Sequence, residues 1–164
     1  MRKMRRIGVI ASVALASVFG AMASAPSASA SVWVSSSTVN NCDSECLVLF
    51  YNSQYGGSRI TLNTNGDEQG FYNLGPYTFQ TTGAGQGQSV KNQAASAQAR
   101  HWGAHWNATI YYNSGYAGPC DRLQAGADST SEITYASKLV NTYNNDASVY
   151  WRSSVMAQGC TYWQ

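Results

Sequence analysis

Four cysteines, two histidines four residues apart, eight carboxylates and a run of glycines are the groups in this chain whose types and spacing could do chemistry. Cys42, Cys46, Cys120 and Cys160 are even in number, and two disulfides are their natural state in an exported chain. Three pairings are open; Cys42–Cys46 with Cys120–Cys160 is the preferred one. Oxidised cysteines do no thiol chemistry. Zinc held by cysteines with His101 or His105 is the rival, but the spacing fits no standard finger. In His101-Trp102-Gly103-Ala104-His105-Trp106 the histidines have the spacing of a zinc helix. Gly103 is a poor helix residue, however, and no Glu follows His101. The string reads as a short hairpin about Gly103-Ala104 with two partly exposed indoles, a surface on which a sugar or peptide would stack.

Catalysis finds little footing. No serine sits in a nucleophile elbow. Asp43, Glu45, Asp67, Glu68, Asp121, Asp128, Glu132 and Asp146 show no spacing that selects an acid–base pair. Gly83, Gly85 and Gly87 lack the flanking strand, helix and Lys-Ser/Thr of a phosphate cradle and read as a flexible surface loop. The expectation is a protein that is not an enzyme and requires no cofactor.

The chain that must position these groups begins with a leader. Met1-Arg2-Lys3-Met4-Arg5-Arg6 is basic, Ile7 to Met22 is apolar, and Ala28-Ser29-Ala30 is a small-residue cleavage site. Residues 1–30 are therefore read as a secretory signal peptide, residues 31–41 as a flexible lead-in and residues 42–164 as one domain. The protein is expected to be secreted, with no membrane attachment after cleavage. Four of the ten basic residues lie in the leader, so six remain against eight acidic ones, a net charge of −2. Without a basic patch, nucleic acid is not an expected partner. Eleven tyrosines, five tryptophans and fifteen glycines, with no capped helical periodicity, favour an all-β domain.

Two stretches repeat. Phe50-Tyr51-Asn52-Ser53-Gln54-Tyr55-Gly56-Gly57 returns as Tyr111-Tyr112-Asn113-Ser114-Gly115-Tyr116-Ala117-Gly118. Each copy spaces an aromatic, four residues, an aromatic, one residue and a glycine, the pattern of a strand running into a folded hairpin. Gly57 and Gly118 supply the backbone angle that a Cβ opposes. Asn92-Gln93-Ala94-Ala95-Ser96 likewise returns as Asn144-Asn145-Asp146-Ala147-Ser148. A repeat at this separation implies two copies of one supersecondary unit. Val48, Phe50, Ile60, Leu62, Val90, Ile110 and Val149 are the expected core.

These residues resemble the βγ-crystallin superfamily. Phe50, Tyr55 and Gly57, with Tyr111, Tyr116 and Gly118, match its structural corner, and the two Asn-x-x-Ala-Ser stretches match its second motif, with Gln93 a departure. With the leader and the early cysteine, the chain is similar to secreted proteins of peptidase inhibitor family 36, the bacterial metalloproteinase inhibitor type. The resemblance implies a Greek-key β-sandwich of two pseudo-symmetric motifs, with Ser96 and Ser148 bonded to the folded hairpins. It also implies a calcium site built from Asn144, Asn145, Asp146, Ser148, Asn92 and Ser96, although only Asp146 among them is anionic. The function it implies is inhibition of an extracellular protease, a metalloprotease above all, by insertion of a loop into the protease cleft. The candidate loops are Gly118 to Leu123, with Arg122 and Leu123, and Asn73 to Phe79, with Tyr77 and Thr78 beside Pro76. The alternatives are a secreted module that binds polysaccharide or another cell surface, with an antimicrobial role, and a structural protein tuned by calcium.

Overall fold

Among the described residues, ten strands form two five-stranded sheets. The computed structural model describes residues 32–42, 44–66, 68–103, 106–126, 132–153 and 159–164. The expected leader, Asp43, Asp67, Asp128 and His105 lie outside the described residues. One sheet has the order β1 (Val32–Ser35), β3 (Arg59–Thr64), β2 (Glu45–Phe50), β5 (Ser96–His101), β8 (Glu132–Ala136). The other has β10 (Cys160–Trp163), β7 (Ala117–Gln124), β6 (Asn107–Asn113), β9 (Ser148–Arg152), β4 (Gln69–Phe71). Strands β2 to β5 make one unit and β6 to β9 the other. Each unit lends its third strand to its partner's sheet: β4 pairs with β9, and β8 with β5. This is the expected Greek-key β-sandwich of two pseudo-symmetric motifs, βγ-crystallin-like in plan. Among the described residues no helix is long and apolar enough to cross a membrane.

The core lies between the sheets. Leu47, Leu49, Ile60, Leu62, Ala97 and Ala99 face Ala108, Ile110, Leu123, Val149 and Trp151, all fully buried. Burying one such Leu or Ile side chain contributes about 2 kcal/mol. Strand β2 is buried at all six positions, so it lacks the alternation of a one-sided strand. Its outer face is covered by a 3-10 turn, Val39–Asn41, and Val39, Cys42, Cys46, Val48 and Phe50 form a second small cluster there. All seven expected core residues are buried, with Val48 and Phe50 in this outer cluster.

Both disulfides have the preferred pairing, Cys42–Cys46 and Cys120–Cys160. The first ties the 3-10 turn to β2. The second joins residues directly opposite each other in the parallel pair β7–β10.

The two corners are near copies. The ring centroids of Phe50 and Tyr55 are 5.7 Å apart, and those of Tyr111 and Tyr116 are 6.2 Å apart. Gly57 and Gly118 have φ of +74° and +85°. Tyr55 and Tyr116 are themselves left-handed, at +60° and +61°, an unfavourable conformation for a residue with a side chain. Ser96 holds the first in place: its Oγ donates to Asn52 O (2.7 Å) and accepts from Tyr55 N–H (3.0 Å). Ser148 repeats both bonds with Asn113 O (2.7 Å) and Tyr116 N–H (3.0 Å). Each serine is fully buried. Ser96→Ala and Ser148→Ala should therefore each cost about 2 kcal/mol, and the double variant about 4, since the pins serve separate hairpins. Urea melts of the three variants check this. Losses below about 0.5 kcal/mol would show that the corners hold without their pins.

Two expectations need correction. Of the expected loose lead-in 31–41, the described residues 32–41 are not loose: Val32–Ser35 pairs with β3, Asn63 bonds back to that strand and Thr61 to Ser37. The exposed edge of β3 supplies the unpaired backbone groups that draw this segment in. The glycine loop is also laced down rather than loose. Ser58 N–H donates to Ala84 O, Gly87 N–H to Phe79 O, and the Gly85 α-carbon lies against the Tyr51 ring, where a Cβ has no room.

Candidate functional site

One end of the first sheet gathers groups that are distant in sequence. Glu45 opens β2, Thr64 closes β3 directly opposite it, and His101 closes β5. Ser44, Asn65, Gly66, Trp102 and Trp106 flank these strand ends. Together Ser44, Glu45, Thr64, Asn65, Gly66, Trp102 and Trp106 line a cleft of about 320 Å³. The turn after β3 is stiffened by its own hydroxyls: Ser44 Oγ donates to Thr64 O (2.8 Å), Thr64 Oγ1 donates to Gly66 O (2.9 Å) and accepts from Gly66 N–H (3.2 Å).

The indoles are held differently. Trp102 is 47% exposed, and the Arg100 guanidinium lies 4.4 Å from its ring centroid. Its backbone N–H donates to Glu45 Oε1. Trp106 is half-buried, packs on the main core, and presses its ring against the bare α-carbon of Gly103. The hairpin expected about Gly103-Ala104 includes Ala104 and His105, which lie outside the described residues; on either side of it, His101 ends a strand of one sheet and Asn107 begins a strand of the other.

Beneath the cleft, Glu45 and His101 form a buried pair. His101 Nδ1 lies 3.7 Å from Glu45 Oε2, and His101 has no exposed surface. Neither ring nitrogen nor Oε2 has a hydrogen-bond partner among the described residues. Sequence spacing gave no hint of this pair; only the antiparallel register of β2 and β5 brings the two together.

The other predicted site residues fall elsewhere. Arg122 and Leu123 are not on a loop. They are buried in β7, which runs on past Gly118-Pro119 for its full length, so neither can enter a protease cleft from this fold. Burial holds the Arg122 guanidinium below the usual arginine range, with the Tyr162 phenol opposing the shift. Tyr77 is half-buried with its ring 5.1 Å from Phe71, whereas Thr78 is exposed. Their loop is braced by Tyr77 N–H to Leu74 O (3.1 Å), Gly75 N–H to Asn73 Oδ1 (3.1 Å) and Ser89 Oγ to Gly75 O (3.3 Å).

Asn92, Ser96, Asn144, Asn145, Asp146 and Ser148 do not form a calcium cage. The two serine hydroxyls are bonded to the hairpins as described. Asn145 Nδ2 donates to Tyr143 O (2.9 Å). Asn92 N–H donates to Asp146 O and Asn144 N–H to Ala94 O, a reciprocal pair across the pseudo-twofold. Asp146 is fully buried, and its Oδ1 accepts from Gln93 N–H (3.1 Å) and Ala94 N–H (2.8 Å). One inward-turned carboxylate falls short of the six to eight oxygens calcium takes. Burial pushes the Asp146 carboxyl up to about 8, against the pull of those amides.

A scan against protein-family models and a search of curated proteins each give no match. Among solved structures, the chain is similar to one from work on the evolution of the eye-lens βγ-crystallin domain fold. That likeness has 15% identity and a TM-score of 0.48, covering 76% of this chain and all of the other. It is also similar to the N-terminal domain of Protein S, at 20% identity and a TM-score of 0.40, covering 68% of this chain and 99% of the other. The fold assignment rests on the exchanged third strands, the twin corners and the twin serine pins of this chain itself.

Proposed function

We propose that this is a secreted, non-catalytic binding module whose ligand, a saccharide, stacks in the Trp102–Trp106 cleft. The observation that carries the reading is the meeting of two indoles with hydroxyl, amide and carboxylate groups from three strand ends. Sugars present an apolar face to aromatic rings and hydroxyls to polar groups, and pockets that bind them combine the two. The cleft is built on strand ends tied by the Cys42–Cys46 disulfide and a bonded turn, so little order has to be created on binding. Retention on insoluble polysaccharide should fall about tenfold in Trp102→Ala and vanish in Trp102→Ala/Trp106→Ala, with little change in far-UV circular dichroism. Equal retention by the double variant and the wild type would sink the reading.

Inhibition of an extracellular protease is the second reading, now resting on the Asn73–Phe79 loop alone. Its braced backbone, with Leu74 and Phe79 buried on either side of exposed Thr78, suits a segment that must stay rigid in a cleft. Dose-dependent inhibition of a metalloprotease, lost in Thr78→Arg and kept in the tryptophan double variant, would favour this loop over the cleft.

A further inference from the structure

We propose that the ligand of this cleft is an amino sugar, held as its ammonium form with Glu45 as the counter-charge. The inference rests on the reading of the cleft as a saccharide site and adds the charge of the ligand. Glu45 lines the cleft and is only 6% exposed. Its Oε1 is used by the Trp102 N–H, and its Oε2 has no hydrogen bond among the described residues. A buried carboxylate oxygen without a donor is costly, and an ammonium supplies both the donor and the opposite charge. A carboxylate oxygen has two lone pairs, so Oε1 can accept from a ligand ammonium beside the Trp102 N–H.

The walls carry both signs of charge: the Arg100 guanidinium, 4.4 Å from the Trp102 ring centroid, is a cation that an incoming ammonium must avoid, so the counter-charge has to come from Glu45. That guanidinium is anchored from outside by the Asn40 carbonyl. Among the described residues, the other titratable groups at this end are His101, 3.7 Å from Glu45, and Glu132, which is opposite His101 in β8 and accepts from Gly126 N–H. A second indole and the Ser44, Thr64 and Asn65 groups at the rim suit a hydroxylated ring better than a bare alkyl ammonium. At about 320 Å³ the cleft is at the small end of ligand sites, enough for one stretch of a glycan and not a long run.

The test is calorimetric titration of the whole protein with three oligosaccharides of equal length: a glucosamine oligomer kept protonated, its N-acetylated form and a glucose oligomer. The glucosamine oligomer should bind about tenfold more tightly than the other two, and added salt should erode that margin. In Glu45→Gln, which keeps an acceptor for Trp102 N–H, the margin of the glucosamine oligomer over the neutral oligomers should shrink to about twofold or less. Equal wild-type affinity for the amine and acetylated forms overturns the inference but leaves the saccharide reading standing. A margin that survives in Glu45→Gln overturns Glu45 as counter-charge. If a lysine oligopeptide of matching charge binds as tightly as the amine oligomer, the ring is not recognised and the amino-sugar class falls. If no oligosaccharide binds at all, the saccharide reading falls as well. Should Glu45→Gln melt early, the wild-type comparison of amine with acetylated oligomer decides alone.

Discussion

Stability should decline as pH rises from the acid range toward about 8, and Asp146→Asn should abolish most of that decline. Asp146 is fully buried, with two amides on Oδ1 and no hydrogen bond to Oδ2 among the described residues. Burial raises its carboxyl from the ordinary 3.8 to about 8. The folded chain therefore keeps a proton that the unfolded chain has already released. Its contribution is fully present below pH 3.8 and is lost as pH rises through about 8. Within that window the slope from this one group approaches at most about 1.4 kcal/mol per pH unit. Asn keeps the acceptor for Gln93 and Ala94 and cannot ionise, so the variant should match the wild type in acid and exceed it by several kcal/mol above about pH 8. Asp146→Ala behaves differently: two buried amides lose their acceptor, and stability should fall by about 3 kcal/mol even in acid. Urea melts of wild type and Asp146→Asn across the pH range check this. Parallel curves for the two would mean that Asp146 does not carry the dependence.

What the sequence made legible is what short spacing encodes. Gly57, Gly118, Ser96 and Ser148 announce themselves because each hairpin and its pin recur with the same local pattern, and local backbone demands leave local marks. The core follows from alternation and the number of disulfides from the even cysteine count, whereas their pairing was one preference among three that the structure decides. The cleft was half legible. Trp102 and Trp106 stand four residues apart, but their partners Ser44, Glu45, Thr64, Asn65 and Gly66 arrive through the register of β2 with β3. Arg122 and Leu123 were misplaced for a related reason. Gly118-Pro119 looks like a turn, and Cys120-Asp121-Arg122 looks too polar for a buried strand. The groups that make its burial tolerable belong to segments 19 to 42 residues away, such as Val140 and Trp163. β1 and β10 were missed because edge strands are recruited by an existing sheet rather than by their own alternation.

Asp121→Ala should be the most damaging single change of a charged residue, at about 4 kcal/mol or more. Asp121 has no exposed surface. Its carboxylate accepts from Thr142 N–H (2.8 Å), Thr142 Oγ1 (2.8 Å), Val140 N–H (3.1 Å) and Trp163 Nε1 (3.2 Å). Four donors converge here, against two at Asp146, so this carboxylate is the better satisfied and the harder to lose. Alanine strands those donors at about 1 kcal/mol or more each. The damage should be directional. Trp163 is tied to β7 through this carboxylate, and β10 is held besides by its ladder, the Cys120–Cys160 bond, Asn141 Nδ2 donating to Thr161 Oγ1 and the Arg122 guanidinium over the Tyr162 ring. Asp121→Ala should therefore fray β10 from its Trp163 end, seen as faster amide exchange there, while the disulfide preserves the Cys160 end. Cys120→Ser/Cys160→Ser alone should cost about 4 kcal/mol through loop entropy. Combined with Asp121→Ala its loss should fall short of the sum, because both changes release the same strand. Asp121→Asn should fall between, since its amide N–H₂ can accept from neither side and must face one of the four donors. A melting temperature for Asp121→Ala within about 2 °C of wild type would show that the C-terminal strand is not clasped through this carboxylate.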